Sequence, residues 1–266
     1  MEFITTLFKG QAYLKQIITL TTDFGDQDHY AGSMKGVILG INAGVIIVDI
    51  THKIQRHDIF KAAFTVRGFY SYFPDDAIHV VVVDPGVGGD RRPIVVETGH
   101  GVFVGPDNGV FTLLMDNCDK FNVYEVTNDE YMLNNVSNTF HGRDIFAPVA
   151  AHLSSGIEPK ELGNPIKAPF KLRIKQPVVS DTEIIGNVIY TDSFGNLITN
   201  ISSDLVDGYS KVKIGDIIVD TVAKSYQNVA KGELIAIIGS SGFLEIAVNQ
   251  GSAADIIKDD EIRVIK

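Results

Sequence analysis

The segment Ile17-Ile18-Thr19-Leu20-Thr21-Thr22 is a short β-branched run that leads directly into the turn-forming residues Asp23-Phe24-Gly25-Asp26. It predicts a buried first strand that ends in a polar loop. Apolar residues then recur with helical spacing over residues 30–41 and about 60–69. Short apolar runs at 45–49 and 78–83 predict two further strands. Strand, helix, strand, helix, strand indicates an α/β layer built on a parallel sheet.

A hairpin, a helix and a second domain are predicted beyond this core. Residues 93–97 and 101–104 have the pattern of paired strands, and helical spacing returns at about 143–153. Four prolines mark residues 156–177 as a connection. Short β-branched runs then recur at 184–190, 211–220, 234–238, 243–248 and 261–265. We therefore expect an extension over 1–16, an α/β domain with a largely parallel central sheet over 17–170, and a smaller, β-barrel-like antiparallel domain over 171–266.

The composition is that of a globular protein that works in water. The 266 residues are 45% apolar and 21% charged, and no apolar run reaches the ~18 residues of a membrane helix. A net charge of −10 without a Lys/Arg cluster argues against nucleic acid or an anionic membrane as partner. The single cysteine, Cys118, forms no internal disulfide, and residues 1–16 lack the features of a signal peptide. These features predict a cytoplasmic protein.

Familiar catalytic motifs are absent from the sequence. It contains no Walker loop, no H-E-x-x-H and no G-x-S-x-G. The triplet Asp23-Phe24-Gly25 matches the metal-binding triplet of protein kinases, but no catalytic loop or nucleotide lobe fits upstream of it. The glycines of Gly86-Val87-Gly88-Gly89 open no predicted helix, so a dinucleotide site is unsupported.

Polar residues instead collect at the predicted carboxyl ends of strands, where α/β sheets bind ligands. The residues are Asp23, Asp26 and Asp28 after the first strand, His52 and His57 after the second, Asp84 after the third, Asp107 and Asn108 in a turn, and His141-Gly142-Arg143-Asp144 before a helix. Each alone is most simply a turn residue or a helix cap. Together, a carboxylate, Arg91 and a distant histidine would orient and deprotonate a water. Clustered carboxylates would instead hold a divalent cation. The sequence leaves these alternatives open.

Eight short motifs run through residues 17–266: Thr21-Thr22-Asp23-Phe24-Gly25, Tyr30-Ala31-Gly32-Ser33-Met34-Lys35-Gly36, Asp49-Ile50-Thr51-His52, Val83-Asp84-Pro85-Gly86-Val87-Gly88, Gly105-Pro106-Asp107-Asn108-Gly109, Thr139-Phe140-His141-Gly142-Arg143-Asp144, Asp192-Ser193-Phe194-Gly195-Asn196 and Leu244-Glu245-Ile246-Ala247-Val248-Asn249. In this order they resemble the S-adenosyl-L-methionine (SAM) hydroxide adenosyltransferases. These are the SAM hydrolases related to the bacterial fluorinase and chlorinase.

The resemblance implies a homotrimer that binds SAM between the N-terminal domain of one subunit and the C-terminal domain of its neighbour. By motif, Asp23 is expected to accept hydrogen bonds from both ribose hydroxyls, as a carboxylate with two oxygens can. The other substrate-binding positions that the motifs imply are Asp192, Asn196 and Ser240 for the methionine end, and Asn249 with Gln250 for adenine. Halogenase relatives have one more residue between the positions of Asp192 and Asn196.

The catalytic trio of the hydrolase branch falls on Asp84, Arg91 and His141. Halogenases of this fold carry tyrosine where Asp84 stands, and tyrosine then serine or glycine in place of His141-Gly142. An ionisable Asp/His pair suits water, which loses a proton as it attacks, whereas a halide has none to lose. Arg91 is expected to fix the carboxylate and the water through its planar donor fork.

The reaction implied is an in-line attack of water at ribose C5′ that releases adenosine and neutral L-methionine. It needs no cofactor and no metal, because the positive sulfur already activates the leaving group. Two other functions stay open: a SAM or adenosine sensor with negligible turnover, and a metal-dependent, phosphoesterase-like hydrolase that uses the acidic residues 23–28.

Overall fold

The computed structural model describes residues 15–206, 211–220 and 222–266. Contacts divide the chain into two compact units, the first ending at Leu172 and the second comprising Arg173–Lys266. The predicted extension 1–16 lies outside the described residues except for its last two. Within the three described ranges, no helix is long and apolar enough to cross a membrane.

The first unit alternates strands and helices. Its described strands are β1 (Ile17–Thr22), β2 (Ile46–Thr51), β3 (Ile78–Val82), β4 (Pro93–Thr98), β5 (Gly101–Pro106) and β6 (Phe121–Glu125). Its described α-helices are α1 (Tyr30–Ile41), α2 (Ile59–Phe69), α3 (Thr112–Asp116) and α4 (Ala147–Ser154), the last preceded by a π-helical turn over Gly142–Phe146. Strand β6 and helix α3 were not predicted, because both are short and β6 mixes polar with apolar residues.

The direction of the strands decides which loops meet. The sheet order is β2-β1-β3-β5-β4-β6, with β1, β2, β3 and β5 parallel and β4 antiparallel to β5. The carboxyl ends of the parallel strands therefore share one edge with the amino end of β4. Asp84 leaves β3 at this edge, and Arg91 and Arg92 enter β4 there.

Helices cover both faces of this sheet, so its central strand β3 is buried throughout. Val80 and Val82 of β3 pack into one hydrophobic cluster with Met34 of α1, on the face that α4 also covers. Val81, the residue between them, packs into a second cluster on the opposite face with Val66 of α2. A strand buried on both faces has no polar alternation, which is why residues 78–83 are apolar except for the buried His79.

The second unit is built almost wholly of antiparallel strands. The described strands are β7 (Val178–Val179), β8 (Glu183–Thr191), β9 (Leu197–Ser202), β10 (Lys211–Ile214), β11 (Ile217–Val219), β12 (Val222–Ala223), β13 (Leu234–Ile238), β14 (Phe243–Val248) and β15 (Glu261–Ile265), and a short α-helix, α5 (Ala253–Ile256), precedes the last of them. They form one sheet in the order β11-β10-β15-β8-β9-β14-β13-β12, with β7 beside β8 and only β12–β13 parallel. The predicted fold class, an α/β domain followed by a smaller antiparallel β domain, is confirmed.

The two-residue strands β7 and β12 were not predicted, and two larger details of the second unit also differ from the sequence prediction. The single run predicted at 211–220 is a hairpin, because Gly215 adopts φ +53 and turns the chain between Ile214 and Ile217. Strand β9 was not predicted, although it pairs with both β8 and β14. Its residues Thr199 and Asn200 are polar but buried, so the pattern that marks an apolar strand is missing.

Candidate active site

A cavity of about 360 Å³ opens at the carboxyl edge of the first unit's sheet. It is lined by Asp23, Phe24, Asp28, Tyr30, Arg56, His57, Val82, Asp84, Val87, Thr139, Phe140, His141 and Gly142. These residues come from the loops after β1, β2 and β3 and from the segment before α4. The cavity therefore brings together residues far apart in the sequence, including three of the predicted site residues.

Asp84, Arg91 and His141 form one hydrogen-bonded unit. Arg91 Nε donates to both oxygens of Asp84 at 3.0 Å, and Arg91 Nη2 also donates to Asp84 Oδ2. The same Nη2 lies 2.7 Å from Nδ1 of His141. Asp84 and His141 line the cavity, whereas Arg91 joins them from behind. The side chains of Asp84 and Arg91 are only 5% and 9% exposed, so this ion pair is shielded from solvent.

The contact with Arg91 fixes the protonation of His141. A guanidinium has no acceptor, so Nδ1 of His141 must accept and carries no proton, and the neutral ring carries its proton on Nε2. Burial first, and then the positive charge of Arg91, lowers the pKa of His141 below its usual 6.5, against the opposing effects of Asp84, Asp144 and the backbone of Ser137. The ring is therefore neutral at pH 7, and it lines the cavity beside the carboxylate of Asp84.

Two contacts hold the loop between β3 and β4 in place. Gly88 has φ +75, and a Cβ there would lie 2.1 Å from the backbone oxygen of Asn138. Only glycine lets the Asp84–Arg91 loop pack directly on the segment that carries His141. On the other side, the Asn108 side chain donates to the carbonyl of Val83 at 2.9 Å and fixes the residue before Asp84.

Asp23 faces the same cavity from the end of β1. Its Oδ2 accepts from the backbone N–H of His57 at 2.9 Å, and His57 has φ +68, a conformation that a residue with a side chain seldom adopts. Thr22 is held by His52, whose Nδ1 lies 2.8 Å from Thr22 Oγ1, and the same hydroxyl accepts from Phe24 N at 3.3 Å. The residues on both sides of Asp23 are thus anchored.

The other two acidic residues of this loop lie apart. Asp28 lines the cavity, but Asp26 lies on the surface in an ion pair with Lys53 at 2.8 Å, which lowers its pKa. Within residues 15–206, 211–220 and 222–266, no three His, Cys, Asp or Glu side chains are grouped as ligands for a metal ion.

The sequence analysis missed an aromatic wall of the cavity. The rings of Phe24, Tyr30 and Phe140 lie 5.1–5.7 Å apart by their centroids, in tilted or edge-to-face contact. Tyr30, the first residue of α1, is 39% exposed. Arg56 also lines the cavity and was not singled out. All three aromatic residues lie in or beside the quoted motifs, but nothing local distinguishes them from core residues.

In the second unit, Asp192 and Asn196 close one tight turn. Asp192 Oδ1 accepts from the backbone N–H of Phe194 at 2.8 Å and of Asn196 at 2.9 Å, and Oδ2 accepts from the Asn196 amide at 2.9 Å. The turn presents Phe194, a residue that is 76% exposed. Gly195, with φ +81, packs against Ser252 too closely for any Cβ.

A second cavity, of about 450 Å³, lies beside this turn. It is lined by Phe194, Asn196, Tyr226, Val248, Gln250 and Gly251. Asn249 lies next to it and donates its amide to the carbonyl of Val229 at 2.8 Å. Ser240 is exposed in the four-residue turn between β13 and β14, where Gly242 N donates to the carbonyl of Gly239 at 3.0 Å.

Tyr226 and Glu245 are a polar pair that sequence reasoning did not single out. Tyr226 Oη donates to Glu245 Oε1 at 2.6 Å, and Glu245 is only 6% exposed. Burial raises the pKa of Glu245, with a further contribution from the charge of Asp192, and the hydrogen bond of Tyr226 opposes the shift. Burial and the neighbouring carboxylate raise the pKa of Tyr226 to about 12.

The first cavity has the parts of a site that activates water beside a diol. Arg91 occupies one side of the Asp84 carboxylate, and a carboxylate has about four acceptor positions in all, so Asp84 can also bind and deprotonate a water. The Nε2 proton of His141 is available as a donor. Asp23 has one oxygen held by His57, and its other acceptor positions suit a pair of hydroxyls.

Two family models match the chain. The SAM hydroxide adenosyltransferase N-terminal domain matches residues 18–163, and the corresponding C-terminal domain matches residues 186–261. Together they cover both structural units.

Relatives and solved structures match over nearly the whole chain. It is 36% identical to the (R)-S-adenosyl-L-methionine hydrolase of Methanocaldococcus jannaschii, over 94% of this chain and 95% of that protein. It is 25% identical to the fluorinase of Nocardia brasiliensis, over 90% and 92% of the two chains. The crystal structure of an uncharacterized conserved protein from Thermotoga maritima superposes with a TM-score of 0.87 at 39% identity, over 94% of this chain and 100% of that one.

Proposed function

The chain belongs to the SAM hydroxide adenosyltransferase family, and we propose from this premise that it hydrolyses SAM to adenosine and L-methionine. The observation that carries the proposal is the Asp84–Arg91–His141 unit on the wall of the cavity that Asp23 also lines. The relatives that match along most of the chain include four named (R)-S-adenosyl-L-methionine hydrolase. Binding of SAM without turnover has no observation of its own in its favour.

Asp84, Arg91 and His141 are the catalytic residues in this proposal. A water bound to Asp84 attacks ribose C5′ opposite the sulfonium, the new C–O bond forms, and the C5′–S bond breaks. Its electron pair goes to sulfur, which leaves as the neutral thioether of L-methionine, and Asp84 takes the proton that the water loses. Arg91 orients the carboxylate, and His141 donates from Nε2 to the water, since its Nδ1 faces Arg91.

Asp23 is the proposed ligand of the two ribose hydroxyls. In the second unit, Asp192, Asn196 and Ser240 bind the methionine end, and Asn249 with Gln250 reads adenine. The exposed ring of Phe194, in the cavity lined by Asn196 and Gln250, favours a flat heteroaromatic group there. SAM is the substrate, and the proposed reaction uses no cofactor and no metal.

The proposed assembly is a cytoplasmic homotrimer that binds SAM between the first unit of one subunit and the second unit of its neighbour. Candidate binding residues occur in both units, and the two cavities are each lined by one unit only.

The relatives' names also suggest which sulfonium epimer is the substrate. A sulfonium sulfur with three different substituents is pyramidal and chiral, so SAM exists as two epimers at sulfur. We propose the R epimer for this chain, because four relatives are named for it. Incubation with each purified epimer tests this directly.

The deciding experiment is a product assay in H₂¹⁸O. Hydrolysis at C5′ places one ¹⁸O in the 5′-hydroxyl of adenosine and releases unlabelled methionine, and Asp84→Asn serves as the inactive control. If the protein binds SAM but forms no adenosine, the result would support a sensor. Loss of activity when a chelator is added would support a metal-dependent hydrolase. Added fluoride or chloride should yield no 5′-halogenated adenosine.

A further inference from the structure

Asp144 is a buried, charged residue to which the proposed reaction gives no role. Its side chain is fully buried, and it lies three residues after His141. Arg143 Nε donates to Oδ1 at 2.5 Å, and Ser137 donates to Oδ2 from its backbone N–H at 2.9 Å and from its hydroxyl at 2.7 Å. Burial opposes ionisation, but the hydrogen bonds of Arg143 and Ser137 outweigh it and lower the pKa of Asp144 below 3.8.

The hydrogen bonds of Asp144 continue into the segment that carries His141. Ser137 Oγ, while donating to Asp144, accepts from the backbone N–H of Phe140 at 3.1 Å. The carbonyl of Phe140 accepts from the backbone N–H groups of Arg143 and Asp144, both at 3.1 Å. Residues 137–144 thus form a loop whose first residue, Ser137, binds the side chain of its last residue, Asp144. His141 follows Phe140 directly, at the entrance to the π-helical turn over Gly142–Phe146.

The loop has little freedom to move without changing the contact between Arg91 and His141. Its Asn138 carbonyl packs against Gly88 so closely that a Cβ would lie 2.1 Å away. Arg91 lies on the same β3–β4 loop as Gly88 and reaches His141 Nδ1 at 2.7 Å. A shift of about 1 Å exceeds the tolerance of such a hydrogen bond, and misplacement of that size can lower a rate by about 10²-fold.

We propose that Asp144 is a positioning residue for the hydrolysis: through Ser137 it holds His141 against Arg91. The expected effect of Asp144 on the rate rests on the proposed function. The expected effect of Asp144 on the position of His141 does not depend on that function. Asp144 touches no reacting atom. It acts by fixing the loop 137–141, so its loss should misplace His141 and leave the Asp23 side of the cavity intact.

The titration of His141 distinguishes positioning from other roles. The charged groups that act on its ring are Arg91 and Asp84 from the β3–β4 loop and Asp144 from its own segment, and Arg143 is paired with Asp144. The Asp144 charge raises the pKa of His141, whereas burial and Arg91 lower it. If Asp144 acted only through its charge, removing it would lower the pKa. If Asp144 holds His141 in place, its removal lets the imidazole ring move away from Arg91 and become more exposed to solvent, so the pKa of His141 rises toward 6.5.

The test compares Asp144→Asn and Ser137→Ala with a matched control, Asp107→Asn. Asp107 is also buried, accepts from Arg92 and from Phe170 N at 2.7 Å, and lies outside the loop 137–144. The pKa of His141 is read by NMR of labelled histidine, assigned by its absence in His141→Gln. Adenosine affinity and kcat against KM are measured alongside.

In Asp144→Asn we expect kcat to fall by about 10–10²-fold at nearly constant KM, adenosine to bind normally, and the pKa of His141 to rise. Ser137→Ala should shift kcat and the pKa of His141 in the same directions by less, and Asp107→Asn should leave the pKa of His141 unchanged. An unchanged or lower pKa of His141 in both loop variants, or full kcat, overturns the proposal. If Asp144→Asn does not fold, Ser137→Ala decides alone. If the wild-type protein releases no adenosine, the proposed function fails, while the NMR titration still tests the positioning.

Discussion

Arg91 Nη2 donates a 2.7 Å hydrogen bond to Nδ1 of His141, fifty residues further along the chain. Because the same guanidinium binds Asp84 through Nε and Nη2, one planar group sets the positions of both cavity-lining side chains. A lysine offers one point of charge and cannot make these contacts in one plane. The histidine is therefore an acceptor toward Arg91 and a donor toward the cavity.

Asp84 and His141 should act together in catalysis, so that the effects of substituting them are not additive. Substitution of either residue by alanine should lower kcat by about 10²–10⁴-fold, because Asp84 is the general base and His141 holds the attacking water and contacts Arg91. The double variant should lose far less than the product of the two single effects, because each single change already disables the unit. Steady-state kinetics with SAM give all three values. Multiplicative losses would mean that the two residues act independently.

Asp23→Ala should weaken the binding of both SAM and adenosine. Its carboxylate is assigned to the ribose diol, and two charge-assisted hydrogen bonds suggest a loss of about 2–4 kcal/mol. Calorimetry with adenosine measures this without catalysis. Asp26→Ala is the matched control, since Asp26 lies on the same loop but is paired with Lys53 on the surface. Unchanged adenosine affinity in Asp23→Ala would remove Asp23 from the ribose site.

Gly88→Ala should damage catalysis as well as stability. The added Cβ meets the Asn138 carbonyl at 2.1 Å, so the loops that carry Arg91 and His141 must separate. Gly156→Ala is the control, because Gly156 has φ +99 with nothing within 4 Å of the added Cβ. Gly156→Ala should lower the free energy of unfolding only by the cost of placing alanine at a positive φ, about 1–2 kcal/mol. Its kcat should be unchanged. Thermal unfolding and kcat are measured for both variants, and equal kcat values would contradict the packing argument.

His79 should make the first unit sensitive to acid. It is fully buried among Phe69, Phe73 and Phe103, its Nδ1 lies 2.8 Å from Thr19 Oγ1, and burial lowers its pKa to about 4. Its pKa in the unfolded chain is about 6.5, so between these values the unfolded state binds more protons.

The contribution of the neutral His79 to the free energy of unfolding is thus fully present above pH ~6.5. It is lost as the pH falls toward 4, which lowers the free energy of unfolding by up to about 3 kcal/mol. Denaturant unfolding at several pH values should show this slope, and His79→Gln should reduce it. His100→Gln, a change at an exposed histidine, should leave it in place. An identical slope in all three proteins would rule out His79 as the cause.

Mixing two inactive variants tests the proposed shared site. Asp84→Ala subunits have an impaired first unit, and Asn196→Ala subunits have an impaired second unit. In a mixed trimer, some sites combine the intact first unit of one with the intact second unit of the other, so part of the activity should return on mixing and subunit exchange. Analytical ultracentrifugation checks the mass. A monomer with full activity would contradict the arrangement.

The strand and helix pattern was largely readable from the sequence, because burial leaves a local signature. The apolar run at 78–83, in which His79 is the one polar residue, predicts a strand covered on both faces, and β3 is such a strand. Strand β9 was not predicted because its buried residues include Thr199 and Asn200. These two residues make hydrogen bonds within the unit, so the strand lacks an apolar pattern. Local composition carries no information about such partners.

The sequence by itself determined the fold class and, through its ordered motifs, the family and the candidate residues Asp23, Asp84, Arg91 and His141. Only the tertiary structure decided how they meet. Because β4 runs antiparallel to β5, Arg91 enters the sheet at the edge where Asp84 leaves it. The tautomer of His141 and the hold of Asp144 on Ser137 likewise depend on loops packed across the fold. Periodicity records which side chains are buried, whereas strand direction and loop packing decide which of them touch.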